Sequence, residues 1–305
     1  MKEHVLSRSA AFLFCSGALV LGASTGCAPR QDEAWMHGLE SAEFSLVQKQ
    51  TFERAYQIIE GIDYLPFQYK DDGCYARALY MSMELTSDRI ASNSLFAFAN
   101  GDHYLEVGDL AWSYHVAPLL GVILPLDAQI NTRANRATQV EWRVIDPALS
   151  GTYVTAMQWL NLMGRTKPEV ETNPWGDSED LSPTLVVVPG SRYAPTGADQ
   201  ETAFYNKDVP DLESMPAFDA MDVKDACSVM FDYLALEAQQ GSTSSKEMAR
   251  KRAQLIQRTT ALSGALVGLG KMTTQGAYSS MGRMDYSFQE PCQQAVDGAL
   301  PYPRG

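Results

Sequence analysis

The chain has 305 residues, 45% of them hydrophobic and 20% charged. That is enough chain for one large domain or two modest ones with a real core, and it excludes a disordered or fibrous protein. The formal net charge of −13 excludes a partner held through its phosphate backbone, which needs clustered Lys and Arg; here the charge serves solubility.

Lys2 and Arg8 form a short charged region, and Ala10 to Ala23 is an apolar run shorter than a membrane span. The run ends in Ser24-Thr25-Gly26-Cys27. Small residues directly before a cysteine resemble a bacterial lipoprotein processing site, with Ser24 where Leu is usual. The expectation is a signal peptide over residues 1–27, lipidation of Cys27, and a protein exported to the bacterial outer membrane or cell surface. Ordinary signal cleavage and secretion is the alternative. No other stretch reaches about 18 apolar residues, so no spanning helix is expected.

Export decides how the cysteines read. Cys15 leaves with the signal and Cys27 is the anchor, so Cys74, Cys227 and Cys292 remain. In an oxidising compartment the simplest partition is a Cys227–Cys292 disulfide with Cys74 free; three buried thiols are the alternative.

Residues 28–40 read as a polar tether. Ser41 to Glu60 is a helix by the spacing of Phe44, Val47, Phe52, Tyr56 and Ile59, and Gly61 ends it. Asp71-Asp72-Gly73-Cys74 is a turn that delivers Cys74 to the start of a second helix, with Asp72 as cap and Tyr75, Ala78, Leu79 and Met83 as its apolar positions. A cysteine there meets unpaired backbone N–H groups and the positive end of the helix dipole, and both favour thiolate.

Ser94 to Ala99 alternates as a strand, closed by Asn100-Gly101, which also suits a hairpin turn. Ala111 to Val122 and Gln139 to Ile145 are further strands, the latter stopped by Asp146-Pro147. Thr152 to Met163 reads as a helix, residues 165–183 as an acidic loop, and Thr184 to Val188 as a buried strand.

Residues 191–216 are irregular. Two helices follow, Ala217 to Gln240 and Ser244 to Leu269, the second with Ser244 and Glu247 placed as a capping box. Residues 270–305 lack clear periodicity. The order is an α+β plan: a cysteine-bearing helix packed on an antiparallel sheet over residues 41–190, then a helical C-terminal region over 191–305.

A cysteine nucleophile needs a base within reach and a group that fixes the tautomer of that base. Past the signal segment there are three histidines. His37 lies in the tether and His103 in a turn. His115 lies in a strand, where a satisfied core histidine is the alternative. The next strand ends at Asp146, a carboxylate placed to accept from that imidazole. Helix nucleophile, then strand His, then strand Asp is the order found in papain-like and transglutaminase-like enzymes.

Three motifs carry a closer resemblance: Asp72-Gly73-Cys74-Tyr75-Ala76-Arg77-Ala78, Trp112-Ser113-Tyr114-His115-Val116-Ala117-Pro118 and Val144-Ile145-Asp146-Pro147. They resemble the active-site motifs of the protein-glutaminase family, secreted bacterial enzymes of transglutaminase-like fold that deamidate glutamine side chains in proteins and peptides. The resemblance covers roughly residues 60–150 and is silent about 191–305.

It implies Cys74 as nucleophile, His115 as base and Asp146 as orienting acid. It also implies a glutamine-containing protein or peptide as substrate, a thioester intermediate, ammonia release and no cofactor. Trp112, Tyr114 and Trp142 flank the motif strands as candidate substrate-binding walls, with core packing as the alternative. Arg77 either supports the thiolate or pairs with an acid. A crosslinking transferase or a cysteine peptidase would use the same trio, and a non-catalytic surface lipoprotein would not use it. No HExxH or paired CxxC motif marks a metal site.

Overall fold

Helix Cys74–Ser87 is buried along almost its whole length, on every face. The structure, a computed structural model, describes residues 46–99, 104–124, 139–164, 170–172, 178–180, 183–193, 217–273 and 289–300. Their elements, in chain order, are β1 Leu46–Gln48, α1 Lys49–Glu60, α2 Cys74–Ser87, β2 Asn93–Phe98, β3 Leu105–Val107, β4 Leu110–Trp112, β5 Tyr114–Leu124, β6 Gln139–Val144, β7 Val154–Thr155 and α3 Ala156–Leu162. They continue with β8 Val170–Thr172, β9 Ser178–Asp180, β10 Thr184–Pro189, β11 Phe218–Asp219, α4 Ala220–Gln239, α5 Ser245–Gly268, β12 Met272–Thr273 and α6 Glu290–Asp297.

The central sheet runs β10-β2-β5-β6-β7 in antiparallel pairs, and β1 adds to β5 in parallel. Both faces are covered, which is why β2, β5 and β10 are nearly continuous apolar runs. Side chains alternate between the faces. Phe96, Val116, Leu120, Val122, Val186 and Val188 join α1 and α2 in one core. Leu95, Ala97, Ala117, Leu119, Val144, Leu185 and Val187 join Trp112 and the α3 residues Trp159 and Leu160 in the other.

Helices α4 and α5 then cover α2 on the side away from the sheet, and α6 packs on both. That third layer accounts for the burial of α2. Its buried carboxylate is paired: Glu84 accepts from the Tyr64 hydroxyl at 2.8 Å and from Arg258 Nε at 2.9 Å. The expected disulfide partition is present, joining Cys227 of α4 to Cys292 of α6, and Cys74 is the free cysteine among the described residues.

Several expectations are corrected. Leu46–Gln48 is a strand, not part of the helix expected over Ser41 to Glu60, because it pairs with Gly121–Ile123. Gly121 permits that approach: a Cβ there would stand 2.8 Å from both Leu46 and the Trp142 ring. The strand expected over Ala111–Val122 is two strands, β4 and β5, separated at Ser113. The helix expected from Thr152 starts at Ala156. Thr155 is its N-cap in a reciprocal box with Gln158, and Val154–Thr155 pairs with β6. Within the expected loop over 165–183, β8 pairs with β9. Residues 270–305 contain α6, a helix too short for its periodicity to stand out, with a proline in its first turn. No described helix is long and apolar enough to cross a membrane. Cys27, His37 and His103 lie outside the described residues.

Candidate active site

The segment before α2 explains how Cys74 is presented. Gly73, not Asp72, is the N-cap, with a left-handed φ of 80° that suits glycine. Asp72 has another task than the expected cap: its Oδ1 accepts from Gly73 N–H at 2.6 Å and fixes the turn. Arg77, one turn along the helix, reaches back and donates to the carbonyls of Tyr69 at 2.8 Å and Asp72 at 3.0 Å. Buried Arg77 therefore clamps the loop. Cys74 becomes the first helical residue, where backbone N–H groups have no partner within the helix.

The strands deliver the other two groups. Alternation along β5 puts His115 on the same face as Ala117 and Leu119, and continuing past β6 puts Asp146 on that face beyond Val144. Ile145 N–H donates to Pro118 O at 3.1 Å and holds the two segments in register. His115 Nε2 and Asp146 Oδ2 are 2.8 Å apart and both side chains are buried. With Nε2 committed to Asp146, Nδ1 is the ring nitrogen left to exchange a proton with Cys74. Cys74 and His115 line one cavity of about 150 Å³ with Lys70, Asp71, Asp72, Ala111, Trp112, Ser113 and Tyr114.

Burial alone would push the His115 pKa down. The Asp146 carboxylate and the Cys74 contact outweigh it and hold the imidazole at about 9, against an ordinary 6.5. Burial likewise opposes the ionised form of Asp146. His115, the Trp159 N–H and the Arg77 charge win, and its pKa lies below the usual carboxylate value. Trp159 Nε1–H donates to Asp146 Oδ2 at 2.8 Å and Ala148 N–H to Oδ1 at 3.1 Å. The carboxylate is thus fixed from three sides.

The structure brings Cys74, His115 and Asp146 together. Trp112 adjoins them: its ring stacks on His115 at 4.8 Å, and its Nε1–H donates to Lys70 O at 3.0 Å, tying the strand to the loop before Cys74. Tyr114 lines the cavity and packs near Phe98. Trp142 does not line it; it is buried against Gly121 within the sheet, as core packing. Trp159 is the functional residue that the sequence reading passed over. Its position, on a helix capped by Thr155 just after Asp146-Pro147, was the available signal.

A free thiol, an imidazole and a carboxylate in series form the arrangement used for nucleophilic acyl transfer. Residues 41–163 match the family model Gln_deamidase_2, described as glutaminase. Over this segment the chain is similar to the glutaminase family. No curated protein matches the chain. Among solved structures, the NMR structure of protein-glutaminase from Chryseobacterium proteolyticum is similar at 23% identity, covering 56% of this chain and 98% of that one, with a TM-score of 0.36. A crystal structure of protein-glutaminase is similar at 22% identity, covering 57% and 98%, with a TM-score of 0.35. The crystal structure of pro-protein-glutaminase is similar at 23% identity, covering 56% and 65%, with a TM-score of 0.35.

Proposed function

We propose that the chain is a cysteine amidohydrolase that deamidates glutamine side chains in proteins or peptides, built on a transglutaminase-like core. The observation that carries this reading is buried His115, which shares one cavity with Cys74 and is held from behind by Asp146, 2.8 Å from its Nε2. Cys74 Sγ attacks the side-chain amide carbon of glutamine. The imidazolium of His115 gives its proton to the departing nitrogen, ammonia leaves, and a thioester remains. His115 then takes a proton from water, the hydroxyl adds to the thioester carbon, and glutamate is released as the thiolate re-forms. The Cys74 backbone N–H, at the start of α2, is placed to donate to the tetrahedral oxyanion.

The test is ammonia release from casein. Wild-type chain is expected to release ammonia without incorporating a labelled primary amine and without cutting the backbone, and Cys74→Ala is expected to release none while remaining folded. Amine incorporation would mark a crosslinking transferase and new N-termini a peptidase; ammonia release by folded Cys74→Ala would refute the nucleophile.

Export to an oxidising compartment is proposed alongside. It draws support from the Cys227–Cys292 disulfide, which reducing cytosol disfavours. Lipid anchoring through Cys27 predicts that Cys27→Ser releases the protein from the membrane fraction; unchanged membrane association would remove that anchor.

A further inference from the structure

The loop that presents Cys74 is gripped from outside the segment that the family model matches. Three residues of the region around α4 reach it. The Tyr233 hydroxyl donates to Asp72 Oδ2 at 2.6 Å, Gln240 Nε2 donates to Asp71 Oδ2 at 3.3 Å, and Glu237 Oε1 accepts from Gln68 N–H at 2.9 Å. The Tyr233 contact is closest to the nucleophile. Asp72 spans Gly73 N–H with one oxygen and Tyr233 with the other, so the hydroxyl fixes the carboxylate that fixes the turn.

The ring has a second role. It lies over Gly73, where a Cβ would come within 2.6 Å of Tyr233 and 2.9 Å of Met230. It also packs against Tyr69 with ring centroids 4.6 Å apart. Burial first, then the Asp72 contact, hold the phenol far above its ordinary range, so it stays a donor at working pH.

We propose that Tyr233 is a positioning residue for Cys74, acting through Asp72 and Gly73 from a helix beyond the glutaminase-matched segment. The inference rests on Cys74 being the nucleophile proposed above. It gives the C-terminal region a part in the chemistry: α4, tied to α6 by the disulfide, sets where the sulfur stands.

Iodoacetamide alkylation of Cys74 in the full-length chain, followed on the tryptic peptide Asp71–Arg77, tests it. Tyr233→Phe keeps the ring and removes the donor. Alkylation at neutral pH is expected to slow roughly tenfold, kcat to fall by a similar factor with KM unchanged, and the thermal midpoint to stay within a few degrees of wild type. In an Asp72→Ala background, Tyr233→Phe is expected to add nothing, because it acts through Asp72.

Unchanged rates in Tyr233→Phe, or a double variant that loses the product of the two single losses, would overturn the proposal. Should Tyr233→Phe not fold, Asp72→Asn and Asp72→Ala decide. Asn retains an acceptor for Gly73 N–H and a hydrogen bond to Tyr233, so it is expected to alkylate near the wild-type rate while Ala slows; equal rates overturn the idea. Alkylation needs no substrate. If casein yields no ammonia while this alkylation pattern holds, the glutaminase reading fails and the positioning role stands.

Discussion

At His115 two opposed effects of similar reach meet. Loss of water disfavours the imidazolium, while the Asp146 carboxylate 2.8 Å away favours it and prevails, leaving a pKa of about 9. Because this lies above the ordinary 6.5, His115 stabilises the fold fully below about pH 6.5 and loses that contribution as pH rises through about 9. The thermal midpoint is expected to fall across that window in wild type. Asp146→Asn removes the charge that raises the imidazole, so this loss of stability with rising pH is expected to shrink; the same variant is expected to lower kcat by about 10²–10⁴-fold through the wrong tautomer. Thermal melts across pH and steady-state ammonia release check both. Asp146 contributes with the opposite sign: its stabilisation is present above the ordinary carboxylate value of 3.8 and lost as pH falls through its lower folded value. Trp159→Phe keeps the ring but removes one donor to Asp146, and kcat is expected to drop roughly tenfold with little change in KM. An unchanged kcat would show that the remaining donors suffice.

Among the elements, α2 carries the most conflict between local and global preference. Its polar residues Arg77, Ser82, Glu84 and Thr86 mark solvent-facing positions for a helix on one sheet face, yet all are buried. The cause is the second cover of α4 and α5. Glu84 meets Arg258 and Tyr64 there, and Arg77 turns back onto the loop carbonyls. The entry to α2 is as tightly specified. Gly73→Ala places a side chain at φ 80° and against Tyr233, so it is expected to cost about 1–3 kcal/mol from backbone strain, before the ring moves. Denaturant melts read the stability, and alkylation of Cys74 reads the displaced nucleophile; a variant with wild-type values in both would show that the loop has another low-energy form.

Over the whole molecule, the sheet, α2 and the C-terminal helices share one apolar core, which includes Leu255, Leu262 and Leu266 of α5 beside Leu79 and Met83 of α2. Tyr80 and Thr259 hydrogen-bond across the same interface, and Thr259 also approaches Cys227. The disulfide closes a loop of 65 residues, and removing it by paired Cys227→Ser and Cys292→Ser changes is expected to cost about 4 kcal/mol on a chain-entropy account. Since α4 grips the Cys74 loop, that variant is expected to alkylate more slowly at Cys74 as well as melt earlier, measured by mass spectrometry and calorimetry. A lower melting point with wild-type alkylation would uncouple the helices from the site.

Local chemistry determined much of this protein in advance. A glycine turn before a cysteine, one strand histidine and an aspartate stopping the next strand are short-range features, whereas the pairing of Leu119 with Val144 is what puts His115 and Asp146 on one face. The odd cysteine count likewise pointed to the Cys227–Cys292 pairing. Only the tertiary structure decided the rest. That Trp159 would donate to Asp146, that Trp142 would be sheet core while Trp112 stacks on the imidazole, and that Leu46–Gln48 would extend β5 depend on which distant surfaces meet. The same holds for Tyr233, 161 residues from Asp72 along the chain. Sequence periodicity records which face of an element is apolar; it does not record which neighbour covers that face, and here the covering neighbours position the candidate nucleophile.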